Sequence, residues 1–202
     1  MVPVLILPTL FLYNASLSMH DHSLRNELTG STAAFRDGDI IFRRGISLVS
    51  HFVFSVDPSS GYSHTGIICK QANRFFVIHV LPVEHENHED AVRMEPLGEF
   101  LSQDNASGFA LYRLTDNGNI PGKAANIAKS FYNRRFHYDY DLDYADHQRL
   151  YCTELVWLAY SLAGVDLIEG RYEGVDIPFY KGKYILISGL LKSRRLNRVE
   201  TH

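Results

Sequence analysis

The chain has 202 residues, 46% hydrophobic and 21% charged, with 14 glycines and 7 prolines; that suits one folded domain and excludes disorder and collagen-like repeats. Twenty Lys and Arg against 23 Asp and Glu leave a formal charge of −3, without the basic excess of a phosphate-coating nucleic-acid binder. Two cysteines are too few for a disulfide framework and leave room for one bridge, two inert thiols or one reactive thiol.

Residues 1–18 read as a signal peptide. Val2 to Tyr13 is an apolar run of twelve followed by small and polar residues, too short to span a bilayer as a helix. The other reading is a buried first strand or helix, and Pro3 and Pro8 count against a regular helix. The mature chain is then expected to begin near Met19, with residues 19–35 as a lead-in, and to work in the periplasm or outside the cell. From residue 36 short strands alternate with turns. Asp37-Gly38-Asp39 is a turn and Ile40-Ile41-Phe42 a buried strand. Gly45 to Val56 carries Ile46, Val49, Val53 and Val56 at helical steps. Asp57 to Gly61 is a loop; Thr65 to Lys70 and Arg74 to Leu81 read as paired strands. Glu84 to Glu89 is a charged loop and Gly108 to Leu114 a strand. Pro121 opens a helix running to about Asn133. Asp146 to Ala163 contains a second helix, with Leu155, Leu158, Ala159 and Leu162 on one stripe and Gly164 ending it. Residues 36–191 make one α+β domain, and residues 192–202 a basic C-terminal tail that could touch an anionic wall or membrane.

The chemistry gathers at two places. In Tyr62-Ser63-His64-Thr65-Gly66 a histidine stands at the mouth of a strand. In Tyr151-Cys152-Thr153-Glu154 a cysteine enters an amphipathic helix. A helix N-terminus favours thiolate over thiol, and an imidazole nearby can accept and return a proton. A hairpin closed by Gln71-Ala72 pairs positions summing to 143, which sets His64 opposite His79. His79 could then hold the His64 ring in one tautomer. Cys69 lies an odd number of residues from His64, so it points to the other face and belongs to the core. Glu154 reads as a first-turn carboxylate rather than a catalytic acid. Tyr62 and Tyr151 flank the two centres as candidate pocket residues. The Glu84–Asp90 loop has two histidines among carboxylates but no second ligand pair, so no metal and no cofactor are expected. The run Arg134 to Asp141 could recognise an anion or lie on the surface.

Five ordered motifs, Gly38-Asp39-Ile40-Ile41-Phe42, Tyr62-Ser63-His64-Thr65-Gly66-Ile67, Val77-Ile78-His79-Val80, Tyr112-Arg113-Leu114 and Tyr151-Cys152-Thr153-Glu154-Leu155-Val156-Trp157, together resemble those of the YiiX/YebB-like cysteine hydrolases. That family is a circularly permuted branch of the papain-like NlpC-type superfamily. The resemblance implies a permuted papain-like fold, with an antiparallel sheet and the nucleophile at a helix N-terminus. It makes Cys152 the nucleophile, His64 the base and His79 the third polar residue. Bacterial hydrolases of this type tend to carry Glu at that third position. A histidine there is more similar to the lecithin:retinol acyltransferase branch. The implied reaction is thiol hydrolysis of an amide or isopeptide bond through a thioester, on a peptide or acyl-amine substrate such as a peptidoglycan fragment. The alternatives are a lipid acyltransferase or lipase using the same residues, and an inactive binding module.

Overall fold

The structure is a computed structural model that describes residues 35–83, 89–115, 118–143, 145–177 and 180–201; the expected leader and nearly all of the lead-in lie outside them. Residues 36–202 form one compact unit. In chain order its strands are β1 (Ile40–Gly45), β2 (His64–Gln71), β3 (Arg74–His79), β4 (Arg93–Pro96), β5 (Ala106–Leu114), β6 (His137–Tyr138), β7 (Arg149–Leu150), β8 (Glu173–Ile177), β9 (Tyr180–Tyr184) and β10 (Leu196–Thr201). Its helices are α1 (Leu48–Val56), α2 (Leu97–Phe100), α3 (Ile120–Asn133), α4 (Cys152–Ala163) and α5 (Ile187–Leu191). Six strands form one antiparallel sheet in the order β10-β5-β1-β2-β3-β4.

Period-two alternation selects the face of that sheet that meets α3 and α4. Ile40 and Phe42 on β1, Ile67 and Cys69 on β2 and Ile78 on β3 join Ala124, Ala128, Leu155, Val156 and Ala159 of the helices in one apolar cluster. Ile40, Ile67, Ile78 and Leu155 are fully buried; each such side chain contributes roughly 1.5–3 kcal/mol. Cys69 sits in this core as its parity predicts, and both cysteines are unpaired thiols. The stripe on α4 is narrower than expected, because Leu162 is 62% exposed. Gly164 does end α4, in the left-handed region at φ 108°.

The Gly38-Asp39 motif proves to be a fastening. A Cβ on Gly38 would stand 2.3 Å from the Pro121 carbonyl oxygen, so only glycine lets β1 approach α3. The Gly38 carbonyl accepts from the Tyr160 hydroxyl. Asp39 is buried and accepts from Arg113 Nε and Nη2, each at 2.7 Å, tying β1 to β5. The expected tail boundary is corrected at the other end of the chain. Leu196 to Thr201 extends the sheet by pairing with β5, since β5 otherwise offers an open row of backbone donors and acceptors.

Candidate active site

Cys152 is the first residue of α4, entered from the extended backbone of Tyr151. Two contacts of the Glu154 carboxylate shape that entry. Glu154 is fully buried; its Oε2 accepts from the Tyr151 N–H at 3.4 Å, and its Oε1 lies 2.8 Å from His147 Nδ1. Burial pushes the Glu154 carboxyl up to about 8 against the opposing bond from Tyr151, with Asp139, Asp146 and Asp143 raising it further. Glu154 is therefore a helix-start fixture, as its position suggests. The Cys152 thiol differs from expectation. Its own N–H and those of Thr153 and Thr65 favour the thiolate, as does the Arg43 cation, but burial outweighs them and pushes the thiol up to about 11. Cys152 rests as a neutral thiol because desolvation of a charge exceeds what the helix terminus supplies.

Thr65 is the residue after His64, so its N–H at the sulfur brings the start of β2 to the head of α4. His64 and His79 are both buried, with His64 Nε2 2.9 Å from His79 Nδ1. They meet by a different route from the one the spacing gives. The hairpin closes at Ala72-Asn73, with Ala72 at φ 52°, and pairs Ile67 with Ile78, a sum of 145 rather than 143. Asn73 belongs in the loop by turn chemistry. His79 is thus adjacent to Gly66, and His64 is its diagonal neighbour on the same face, within reach of a ring. Gly66 makes the diagonal possible. A Cβ there would stand 2.6 Å from Val77 Cγ1, 2.8 Å from the Ile78 carbonyl oxygen and 3.0 Å from His79 Cβ.

Three residues that the sequence did not mark complete the surroundings. Glu95 on β4 sets its Oε2 3.0 Å from His79 Nε2, an ion-pair contact presented off the ideal hydrogen-bond angle. Arg43, buried beside His64 on β1, donates from Nη1 to the Phe100 carbonyl at 3.0 Å and lies over the Phe100 ring. Phe100 packs against both imidazoles, its centroid 5.7 Å from His64 and 5.1 Å from His79. Burial, then the charge of Arg43, then His79 and Arg93 hold His64 well below the ordinary histidine range. Burial also lowers His79, against the pull of Glu95. Burial alone would raise Glu95, but the His79 contact and the cations Arg43 and Arg93 bring it below the usual carboxylate range.

A cleft of about 700 Å³, open to solvent, lies at Cys152. Val49, Phe52 and Val53 of α1, Leu142, and Ile185 to Ile187 give it apolar walls. Asp57 also lines it, but its Oδ2 accepts from the Ser188 N–H at 2.7 Å and so joins the end of α1 to α5. Tyr151 lines the cleft, its hydroxyl accepting from the Ile185 N–H at 3.1 Å. Tyr62 does not line it, and its ring instead packs on Phe42. The run from Arg134 is largely engaged: Arg134 lies over Phe136, Arg135 pairs with Glu89, and His137 pairs with Asp90. Residues 84–88 of the His-containing loop lie outside the described residues. Among the described residues no three His, Cys, Asp or Glu side chains cluster as a metal site, and no helix is long and apolar enough to cross a membrane.

The fold has a solved counterpart. The crystal structure of the metalloprotein YiiX from Escherichia coli O157:H7 is similar at a TM-score of 0.66 and 20% identity, over 83% of this chain and 97% of that one. No curated protein matches the chain. Residues 34–172 match the model of the permuted papain-like amidases, the YaeF/YiiX or C92 family. With a cysteine heading a helix and a histidine opening the strand against it, this chain belongs to that family of cysteine amidases.

Proposed function

We propose that the chain hydrolyses an acyl-amine bond by a Cys152-His64-His79 set through a thioester, on a substrate of the kind found in cell-wall peptides. The supporting observation is that His64, 2.9 Å from His79, is followed on β2 by Thr65, whose N–H turns to the Cys152 sulfur. Because the thiol rests protonated and the imidazole neutral, the proton moves as the attack occurs. His64 takes the Cys152 proton while sulfur bonds to the carbonyl carbon, and the Cys152 N–H at the helix start helps hold the oxyanion. The C–N bond then breaks, with His64 returning the proton to the departing amine. Water, deprotonated by His64, opens the thioester and releases the acid and the thiol.

The apolar walls favour an acyl group with aliphatic or aromatic surface beside the scissile carbonyl. The same walls support the second reading, a lipid ester as acyl donor. Incubating Cys152→Ala protein with cell-wall digests and with lipid extracts, then identifying what is retained, tests both. Retained acyl-amine compounds are expected, and wild-type protein should carry a mass-detectable acyl adduct on Cys152. Retention of lipid esters alone would overturn the first reading, and undiminished hydrolysis by Cys152→Ala would overturn both. Export to the periplasm, and contact of the terminal basic residues with an anionic surface, belong to the same proposal.

A further inference from the structure

Glu95 takes no part in the steps above, yet it is the carboxylate that touches the histidine pair. It stands on β4, the edge of the sheet, and its side chain is 23% exposed where that of His79 is 1% exposed. On its outer side it lines a second cleft, of about 1310 Å³, with Arg93, Glu99, Tyr132 and Arg135. His79 Nε2 therefore meets a buried oxygen of a side chain that is otherwise partly exposed, while both imidazoles are buried.

A neutral imidazole carries one N–H and one lone pair. His64 Nε2 and His79 Nδ1 are 2.9 Å apart, so a single hydrogen lies between them, and the two rings have two self-consistent arrangements. In one, every N–H points outward toward Glu95. In the other, His79 donates inward from Nδ1 and leaves the lone pair of Nε2 beside the Glu95 oxygen, 3.0 Å away and off the ideal hydrogen-bond axis. Two lone pairs at that distance repel, and the repulsion is greatest when the carboxylate is charged. Arg43 on β1 and Arg93 on β4 are the cations facing Glu95, and with the His79 contact they keep it ionised. The inward arrangement is excluded on those grounds.

We infer that Glu95 is a positioning residue that fixes both tautomers in series: it takes the His79 Nε2–H, His79 Nδ1 takes the His64 Nε2–H, and His64 Nδ1 is left as the base. The inference rests on the reading of His64 as the base that accepts the Cys152 proton. Protonation of His64 during attack then meets a negative charge relayed from Glu95 through His79, without that charge standing beside Cys152.

Imidazole ¹⁵N chemical shifts in the full chain test the assignment directly, because a protonated nitrogen and a lone-pair nitrogen are well separated. Cys152→Ala protein keeps both rings and removes turnover. The expected spectrum has Nε2–H on His64 and on His79, with His64 Nδ1 unprotonated. In Glu95→Gln, which keeps the shape and removes the charge, the amide can donate to His79 Nε2, so the His64 tautomer becomes mixed or reversed. With Cys152 restored, Glu95→Gln should lose at least tenfold in kcat, within the roughly 10²–10⁴ that general-base catalysis contributes, with little change in KM. The acidic limb of kcat/KM should move to lower pH, since the charge that favours protonated histidine is gone. Nδ1–H on His64 in the parent protein overturns the inference, as does a kcat loss in Glu95→Gln without a tautomer change. Failure of the base reading is separately visible, as hydrolysis that survives His64→Ala.

Discussion

Replacing Gly66 by alanine is the sharpest test of the diagonal histidine pair. The added Cβ meets Val77 Cγ1 at 2.6 Å, the Ile78 carbonyl oxygen at 2.8 Å and His79 Cβ at 3.0 Å, where ordinary contact begins at 3.4 Å. The neighbours must therefore give by about 0.4 to 0.8 Å, and one of them is backbone held in the β2–β3 ladder. Overpacking of that size costs about 1–3 kcal/mol. It also pushes His79 off its partner: lengthening the 2.9 Å contact by about 0.4 Å brings it to the limit of a useful hydrogen bond. Urea unfolding should show the stability loss. Hydrolysis of an activated anilide, measured well below the unfolding midpoint, should show kcat/KM reduced by about tenfold or more. Gly98→Ala supplies the control, because a Cβ there meets nothing within 4 Å. Wild-type kcat/KM in Gly66→Ala, with the stability loss present, would refute the claim that His79 acts through contact with His64.

Three other outcomes follow from the buried groups and the sheet edge. Glu154 is raised in the fold to about 8 from an ordinary value of 4.5, so both states are protonated below 4.5 and only the unfolded chain ionises as pH climbs toward 8. Stability is lost across that window by about 1.4 kcal/mol per pKa unit of separation. Glu154→Gln should therefore melt increasingly above wild type between pH 5 and pH 8 in thermal scans, and a gap that stays constant would contradict the assignment. Alkylation of Cys152 by iodoacetamide in the substrate-free chain should be slower than that of a free thiol at pH 7 and still rising at pH 10, because burial holds the thiol near 11; a plateau by pH 8 would show a preformed thiolate. Deleting residues 194–202 removes β10 and bares the outer edge of β5. Size-exclusion chromatography should then show association, and a stable monomer would mean the strand is dispensable.

Much of the architecture was legible because it depends on short-range signals. Pro121 at the start of α3, Gly164 at the end of α4 and the alternation through Ile40 and Phe42 each state a local conformation. The hairpin register was misread by one loop residue, which moves the pairing by two positions. A shift of two preserves the face, so His64 and His79 were correctly placed together for the wrong pairing. Glu95 and Arg43 were not legible. Glu95 lies in a four-residue edge strand of intermediate burial that carries no hydrophobic alternation, and Arg43 is a strand residue whose burial depends on stacking over Phe100, far along the chain. The state of the Cys152 thiol is hidden for a related reason: a helix start is visible in sequence, but the surrounding desolvation is set by tertiary packing. The terminal strand reads as a tail in sequence because its basic residues hide the pairing with β5.

The protonated resting state of Cys152 has a consequence for survival as well as for turnover. Peroxides and disulfides react with thiolates, and burial raises both Cys152 and Cys69 above the ordinary thiol range. The enzyme therefore carries two unpaired sulfurs in a form that resists sulfenic acid formation and mixed disulfides. On the proposed mechanism the sulfur is unmasked one turnover at a time, when His64 takes the proton in the presence of a carbonyl to attack.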